Sequence, residues 1–165
     1  GATKEAMVWG FRIGFLTYGA KGLTDRQHDA LNKKTLAAIR TSVSNCDRPG
    51  QSLLIKAMQE GQRYEIDKQA VFSEMKQRYL VLKETLKRFE GDENLIPYPF
   101  NSGYFMAFKT RKSAEELRRH LLDRYEVGTI NIADTTLRVA YCSVDLEKVG
   151  ELIELVYRAA GEIWN

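Results

Sequence analysis

Apolar residues alternate with small or polar ones from Val8 to Phe15, and this period of two predicts a β-strand. Trp9, Phe11, Ile13 and Phe15 would share one face, and Val8, Gly10, Arg12 and Gly14 the other. The glycines of Thr17–Gly22 then mark a turn. Thr24, followed three residues later by Gln27, has the form of a capping box. It predicts a helix to about Val43 with Leu31, Leu36, Ala37 and Ile39 as its apolar positions. Ser42 to Gly50 breaks the pattern, and a short helix ending at Gly61 should turn Leu53, Leu54, Ala57 and Met58 inward. Between Glu65 and Glu90 apolar residues recur in steps of three and four: Val71 or Phe72, then Met75, Tyr79, Leu82, Leu86 and Phe89. A run of about three heptads is the lower limit for a coiled-coil seam, so packing of one face on a sheet is the expectation.

The pattern changes at Leu95. Pro97 and Pro99 forbid a helix there, so the chain should run extended into a strand over Tyr104–Phe108. Ser113 and Glu116 form a second capping box, opening a helix through Leu117, Leu121, Leu122 and Tyr125. A short strand from Gly128 to Ile132 and a turn at Ala133–Thr135 lead into a strand over Leu137–Cys142. Leu137, Val139 and Tyr141 lie on one side of it, so Arg138 points the other way. Asp145 should cap a last helix with the stripe Val149, Leu152, Ile153, Val156, Ala160 and Ile163. Helices alternating with strands after residue 95 argue for an α/β (α+β, two-layer) fold, a small mixed sheet covered by helices.

Composition narrows the function classes. The 165 residues suit one domain able to bury a proper core, about 70% of the unfolded surface. A net charge of +3 is too mild to argue for nucleic acid, and Lys33-Lys34 and Arg118-Arg119 read as solvated helix faces. No apolar run approaches the roughly 18 residues that a membrane span needs, and no signal peptide is evident. Cys46 and Cys142 stand alone, and His28 and His120 are far from them in sequence, so no metal site is expected. Two isolated cysteines suit a reduced, cytoplasmic protein.

The candidate chemistry lies at the start of the chain. A lysine amine can condense with an aldehyde, and Lys4 stands among small residues ahead of the predicted strand. Arginine presents a planar fork to a phosphate, and Arg12 is flanked on its face by Gly10 and Gly14, which lets an anion come close. An amine for an aldehyde and a guanidinium for a phosphate match the two handles of pyridoxal phosphate. Taken singly, the same residues also read as a lysine near a chain end and a solvated strand arginine.

In order and spacing, Gly1-Ala2-Thr3-Lys4 followed by Arg12-Ile13-Gly14 resembles the cofactor-attachment signature of the class I/II aminotransferases, fold type I. Met7 departs from it, standing where that family prefers a smaller residue. Asn101-Ser102-Gly103-Tyr104-Phe105-Met106 is similar to the glycine-aromatic strand of the family's small domain. Leu137-Arg138-Val139-Ala140 is similar to its late strand, whose arginine binds the substrate carboxylate. Between Gly128 and Arg138 the chain runs directly, where the family often has a longer loop.

The resemblance implies pyridoxal 5'-phosphate as cofactor, Lys4 as its covalent anchor and catalytic acid/base, Arg12 on its phosphate, and Arg138 on the substrate α-carboxylate. It implies transfer of an amino group between an amino acid and a 2-oxo acid by a homodimer. Residues 1–30 would be a remnant of the large cofactor domain, with one of its strands, and 31–165 the C-terminal small domain. Since the family places most cofactor contacts before the lysine, the expectation is a C-terminal part, inactive alone. Two alternatives stand beside it, of which only the first would use these residues. One is another fold-type-I reaction, such as C–S lysis or acyl condensation; the other is a non-catalytic dimerisation or binding module.

Overall fold

The computed structural model of the protein describes residues 1–164 and divides into two compact units, Gly1–Gln69 and Ala70–Asn165. The first unit is helical. A short helix, α1 (Ala2–Glu5), precedes a 3-10 turn at Trp9–Phe11; then come α2 (Asp25–Ser42), α3 (Arg48–Gln59) and the first residues of α4 (Gln62–Lys87). Its buried centre is small: Ala2, Ile13 and Leu54, with Ala6, Val8 and Phe11 packed against them.

The capping box forms as expected. Thr24 Oγ1 accepts the Gln27 backbone N–H at 3.4 Å, and the Thr24 N–H donates back to Gln27 Oε1 at 2.8 Å. Two orphan donors of the first turn are thus satisfied. Thr24→Ala removes the side-chain acceptor and should cost about 1 kcal/mol, read as a lower thermal midpoint. At α3 the cap is Asp47, which accepts the Gly50 N–H at 3.2 Å. A methyl on Gly50 would come 2.1 Å from Asp47 Oδ2 and 3.0 Å from Phe11, so only glycine lets this turn and Phe11 approach so closely. Of the four residues expected to turn inward on α3, Leu54 is buried and Ala57 half-buried, while Leu53 and Met58 are exposed.

The expected strand over Val8–Phe15 does not form. A strand needs a partner backbone for its N–H and C=O groups. Each strand among the described residues belongs to the one sheet of the second unit. The segment instead turns, with Met7 and Arg12 both in the left-handed region at φ 55° and 52°. The alternation of faces is lost with it: Ile13 is 7% exposed, whereas Trp9 and Phe15 are 70% and 69% exposed.

The second unit is a helix-covered sheet of order β1-β2-β4-β3, built from β1 (Leu95–Pro97), β2 (Met106–Thr110), β3 (Ile130–Ala133) and β4 (Thr136–Val139). The fold class is the expected α/β two-layer arrangement. The sheet, however, is antiparallel at every pairing rather than mixed, because β3 and β4 are joined by a tight turn and β2 lies beside β4. Pro97, which lacks an N–H, sits on the edge strand β1, where a ladder tolerates it.

Leu95, Met106, Phe108, Leu137 and Val139 form the covered face. Against it pack Leu82 and Leu86 of α4, Leu117 and Leu121 of α5 (Ala114–Tyr125), and Val149, Ile153 and Val156 of α6 (Val149–Trp164). From Met75 on, the expected stripe joins this core, with Met75, Tyr79 and Phe89 partly buried against it, while Val71 and Phe72 are exposed.

Local details differ from the sequence pattern: the strand expected over Leu137–Cys142 stops at Val139, and Tyr141–Ser143 form a 3-10 turn. The glycine-aromatic strand begins at Met106, not Tyr104, because Gly103 takes φ 103° and its carbonyl accepts the Tyr141 hydroxyl. Asp145 makes no side-chain cap; a 3-10 turn over Leu146–Lys148 comes first, and α6 begins at Val149. At α5, Ser113 accepts the Glu116 N–H, but the Glu116 carboxylate receives the Trp164 indole N–H at 3.3 Å instead of closing the box.

The first turn of α5 also carries a charge cluster. Glu115 accepts two bonds from Arg118 at 2.6 and 2.8 Å and one from Arg119 at 2.7 Å. These hydrogen bonds hold its carboxyl down to about 2 from an ordinary 4.5. Since the folded value lies below the unfolded one, the stabilisation is complete above about pH 4.5 and fades as pH falls towards 2. Glu115→Gln should therefore flatten the acid limb of a thermal-midpoint profile between those values and leave neutral pH nearly unchanged.

Candidate functional site

Lys4 and Arg12 lie in the first unit and Arg138 in the second. Lys4 sits on α1, exposed, and the helix is anchored by Ala2, which is buried with Ile13 and Leu54. A methyl on Gly1 would lie 3.6 Å from the Ile13 carbonyl and 3.9 Å from Gly14 Cα, so α1 begins against the segment that carries Arg12. Glu5, next to Lys4, pairs with Lys68 of α4 at 2.7 Å. The ammonium holds the Glu5 carboxyl below its ordinary value, and the carboxylate holds Lys68 above its own.

Arg12 is exposed, and its Nη1 donates to the Trp9 carbonyl at 3.3 Å across the 3-10 turn. Around it, a methyl added to Gly10 or Gly14 would meet nothing within 4 Å. With the strand lost, Gly10 and Gly14 do not flank Arg12 on a shared face as expected, because the backbone there is a turn. An amine and a guanidinium in one unit would suit in kind an aldehyde and a phosphate on one small molecule.

Arg138 lies on β4 between the fully buried Leu137 and Val139, so its side chain projects from the face that the helices leave uncovered. Its register partners there are Ala107 on β2 and Ile130 on β3. The guanidinium carbon lies 4.6 Å from the centre of the Phe105 ring. Phe105 is two residues before Ala107, the diagonal neighbour across this antiparallel pair.

The segment bearing Phe105 is itself tied down: Cys142 N–H donates to the Tyr104 carbonyl at 3.4 Å, and buried Tyr141 holds Gly103. Burial pushes the Tyr141 phenol up to about 12, so it stays protonated and a donor. Arg138 is thus half-buried and seated on an aromatic face, which holds its planar fork against the ring. The Phe105 platform has no signature in the sequence, since it follows from the β2–β4 register.

Among the described residues no cluster of three or more His, Cys, Asp or Glu could hold a metal ion, and no helix is long and apolar enough to cross a membrane.

No protein-family model matches the sequence, and no curated protein matches it either. Solved structures do match in fold. LysN, the α-aminoadipate aminotransferase of Thermus thermophilus, solved with N-(5'-phosphopyridoxyl)-L-leucine, superposes with a TM-score of 0.66 at 21% identity over 81% of this chain. An archaeal alanine:glyoxylate aminotransferase gives 0.73 at 14% identity over 94%. The aromatic aminotransferase of Pyrococcus horikoshii gives 0.62 at 14% over 79%. The chain spans 36%, 38% and 36% of their respective lengths. The chain thus shares the fold of about a third of each of these aminotransferases.

Proposed function

We propose that this chain is the C-terminal part of a pyridoxal-phosphate-dependent aminotransferase that moves an amino group between an amino acid and a 2-oxo acid. The observation that carries this reading is the fold shared with aminotransferases over 79% to 94% of the chain. The Lys4–Arg12 spacing and the uncovered Arg138 support it.

Pyridoxal phosphate, when bound, supplies an electron sink for the substrate's α-carbon. The chain's own residues would do the rest. Lys4 Nζ would hold the aldehyde end and, once released, carry a proton to and from the α-carbon. Arg12 would hold the phosphate through its fork. Arg138 would orient the substrate by its α-carboxylate.

We further propose a homodimer. The exposed apolar residues of the first unit, among them Trp9, Phe15 and Leu16, are surface of the kind that marks association sites.

The test is a side-by-side assay of the full-length protein and residues 1–165 against a panel of amino and 2-oxo acids, with cofactor absorbance read after dialysis. The full-length protein should transaminate and keep the cofactor, and the shorter chain should do neither. A full-length protein that only eliminates sulfur or condenses acyl thioesters would replace the reaction class. One with no cofactor and no turnover would leave a binding module. Sedimentation of the full-length protein as a monomer would remove the dimer.

A further inference from the structure

The Phe105 ring that seats Arg138 lies outside the β2–β4 ladder. That ladder begins with Met106 opposite Val139, so Phe105 stands one residue beyond its first pair. Phe105 is also 37% exposed, so packing holds its ring only in part. Yet the guanidinium carbon of Arg138 lies 4.6 Å from the centre of that ring. A further hold is needed to keep the two together.

Tyr141, three residues after Arg138, supplies it. Its side chain is fully buried in the core that the helices cover, which makes it a rigid post. From there its hydroxyl donates to the carbonyl of Gly103, two residues before Phe105. Gly103 takes φ 103°, a left-handed conformation that a side chain would strain, and so the chain bends to meet the hydroxyl. Between the two, the Cys142 N–H donates to the Tyr104 carbonyl at 3.4 Å. The post is tied in turn from behind. The Ser143 N–H donates to the Ala140 carbonyl at 3.0 Å, and Arg78 Nε of α4 donates to the Val144 carbonyl at 2.9 Å. Burial keeps the phenol protonated, so the hydroxyl remains a donor.

Fork and post therefore share one short stretch, Arg138–Tyr141, and the strap Gly103–Phe105 joins them. We infer that Tyr141 is a positioning residue for the substrate: through its bond to Gly103 it keeps Phe105 against Arg138, and so sets the direction in which the arginine presents its fork. The inference rests on the carboxylate-binding role proposed for Arg138.

The test is steady-state kinetics of full-length variants with amino and 2-oxo acids, with cofactor titrations and thermal midpoints read alongside. Tyr141→Phe keeps the buried ring and removes only the donor. Gly103 is exposed, so its carbonyl can turn to water and the thermal midpoint should fall only slightly. KM should rise about two- to fivefold for both substrate types, with loss of the whole cation–π contact as the upper bound. Cofactor affinity should not change. Gly103→Ala disturbs the strap from its other end, because alanine is strained at φ 103°, and should raise KM likewise. Tyr157→Phe is the control. That phenol is also buried, its ring stacked on Phe89 with centroids 4.0 Å apart, but its hydroxyl has no partner among the described residues. Its loss should leave KM unchanged.

Double variants separate positioning from a merely structural role. If Tyr141 acts through Phe105, Tyr141→Phe should add nothing to the KM of Phe105→Leu or of Arg138→Ala. Effects that multiply would overturn the inference. So would an unaltered KM in Tyr141→Phe where Arg138→Ala raises it. An unaltered KM in Arg138→Ala would remove the carboxylate role of Arg138 itself, and this inference with it.

Discussion

Lys4→Ala in the full-length protein is expected to abolish amino-group transfer while leaving the fold intact. The two halves of this expectation come from different parts of the structure. Lys4 is exposed on α1, whereas the neighbour that anchors that helix, Ala2, is buried with Ile13 and Leu54. Truncating an exposed side chain away from the core changes stability by about 0.5 kcal/mol or less, so the thermal midpoint should hardly move.

Turnover should fall far more. Loss of a positioned acid/base alone costs about 100- to 10,000-fold, and in the proposed reading the covalent anchor of the cofactor goes with it. Lys4→Arg keeps the positive charge but has no free amine lone pair, so it should fail equally. The paired readouts are steady-state turnover and visible cofactor absorbance after dialysis. Near-normal turnover in Lys4→Ala would show that the lysine is an ordinary surface residue.

The extent to which the sequence foretold this molecule depended on whether a signal was local. The Thr24–Gln27 box and the stripe Val149, Ile153, Val156, Ala160 act within one helix, and both appear as read. The alternation around Arg138 is local as well, and Leu137 and Val139 are buried on either side of it. The alternation of Val8–Phe15 is equally clean, yet it produces a turn. A period of two says which side chains could share a face, whereas a strand also needs a neighbouring backbone.

Register is the other limit. Phe105 reaches Arg138 only because Ala107 pairs with Arg138 across β2 and β4, a relation between residues far apart in sequence. Tyr157 was within reach of pattern reasoning, standing four residues after Ile153 on the buried side of α6. What no pattern discloses is that its hydroxyl is left unpaired, since that depends on α4 and the turn after it.

The Phe105 platform gives Arg138 the second large expected effect. Arg138→Ala in the full-length protein should raise KM for amino and 2-oxo acids alike by about ten- to a hundredfold, the cost of one charge-assisted hydrogen-bonding partner. If the carboxylate contact also sets the geometry of the α-carbon, kcat should fall too, because misplacement is read in the chemical step. Cofactor retention should be unaffected, since in the proposed reading the anion that Arg138 meets belongs to the substrate.

Arg12→Ala is the mirror case, losing cofactor on dialysis while substrate handling at saturating cofactor suffers less. Arg138→Lys should not restore function, because an ammonium is a point charge and cannot reproduce a planar fork seated on a ring. Phe105→Leu keeps the arginine but removes the aromatic face. A cation–π contact of about 0.5–1 kcal/mol predicts a rise in KM of only about two- to fivefold. Titrating cofactor into apoprotein and amino acid into holoprotein for each variant separates these outcomes. Should Arg138→Ala lose cofactor and keep its substrate affinity, Arg138 would belong to the phosphate end of the site, and the roles given to the two arginines would have to be exchanged.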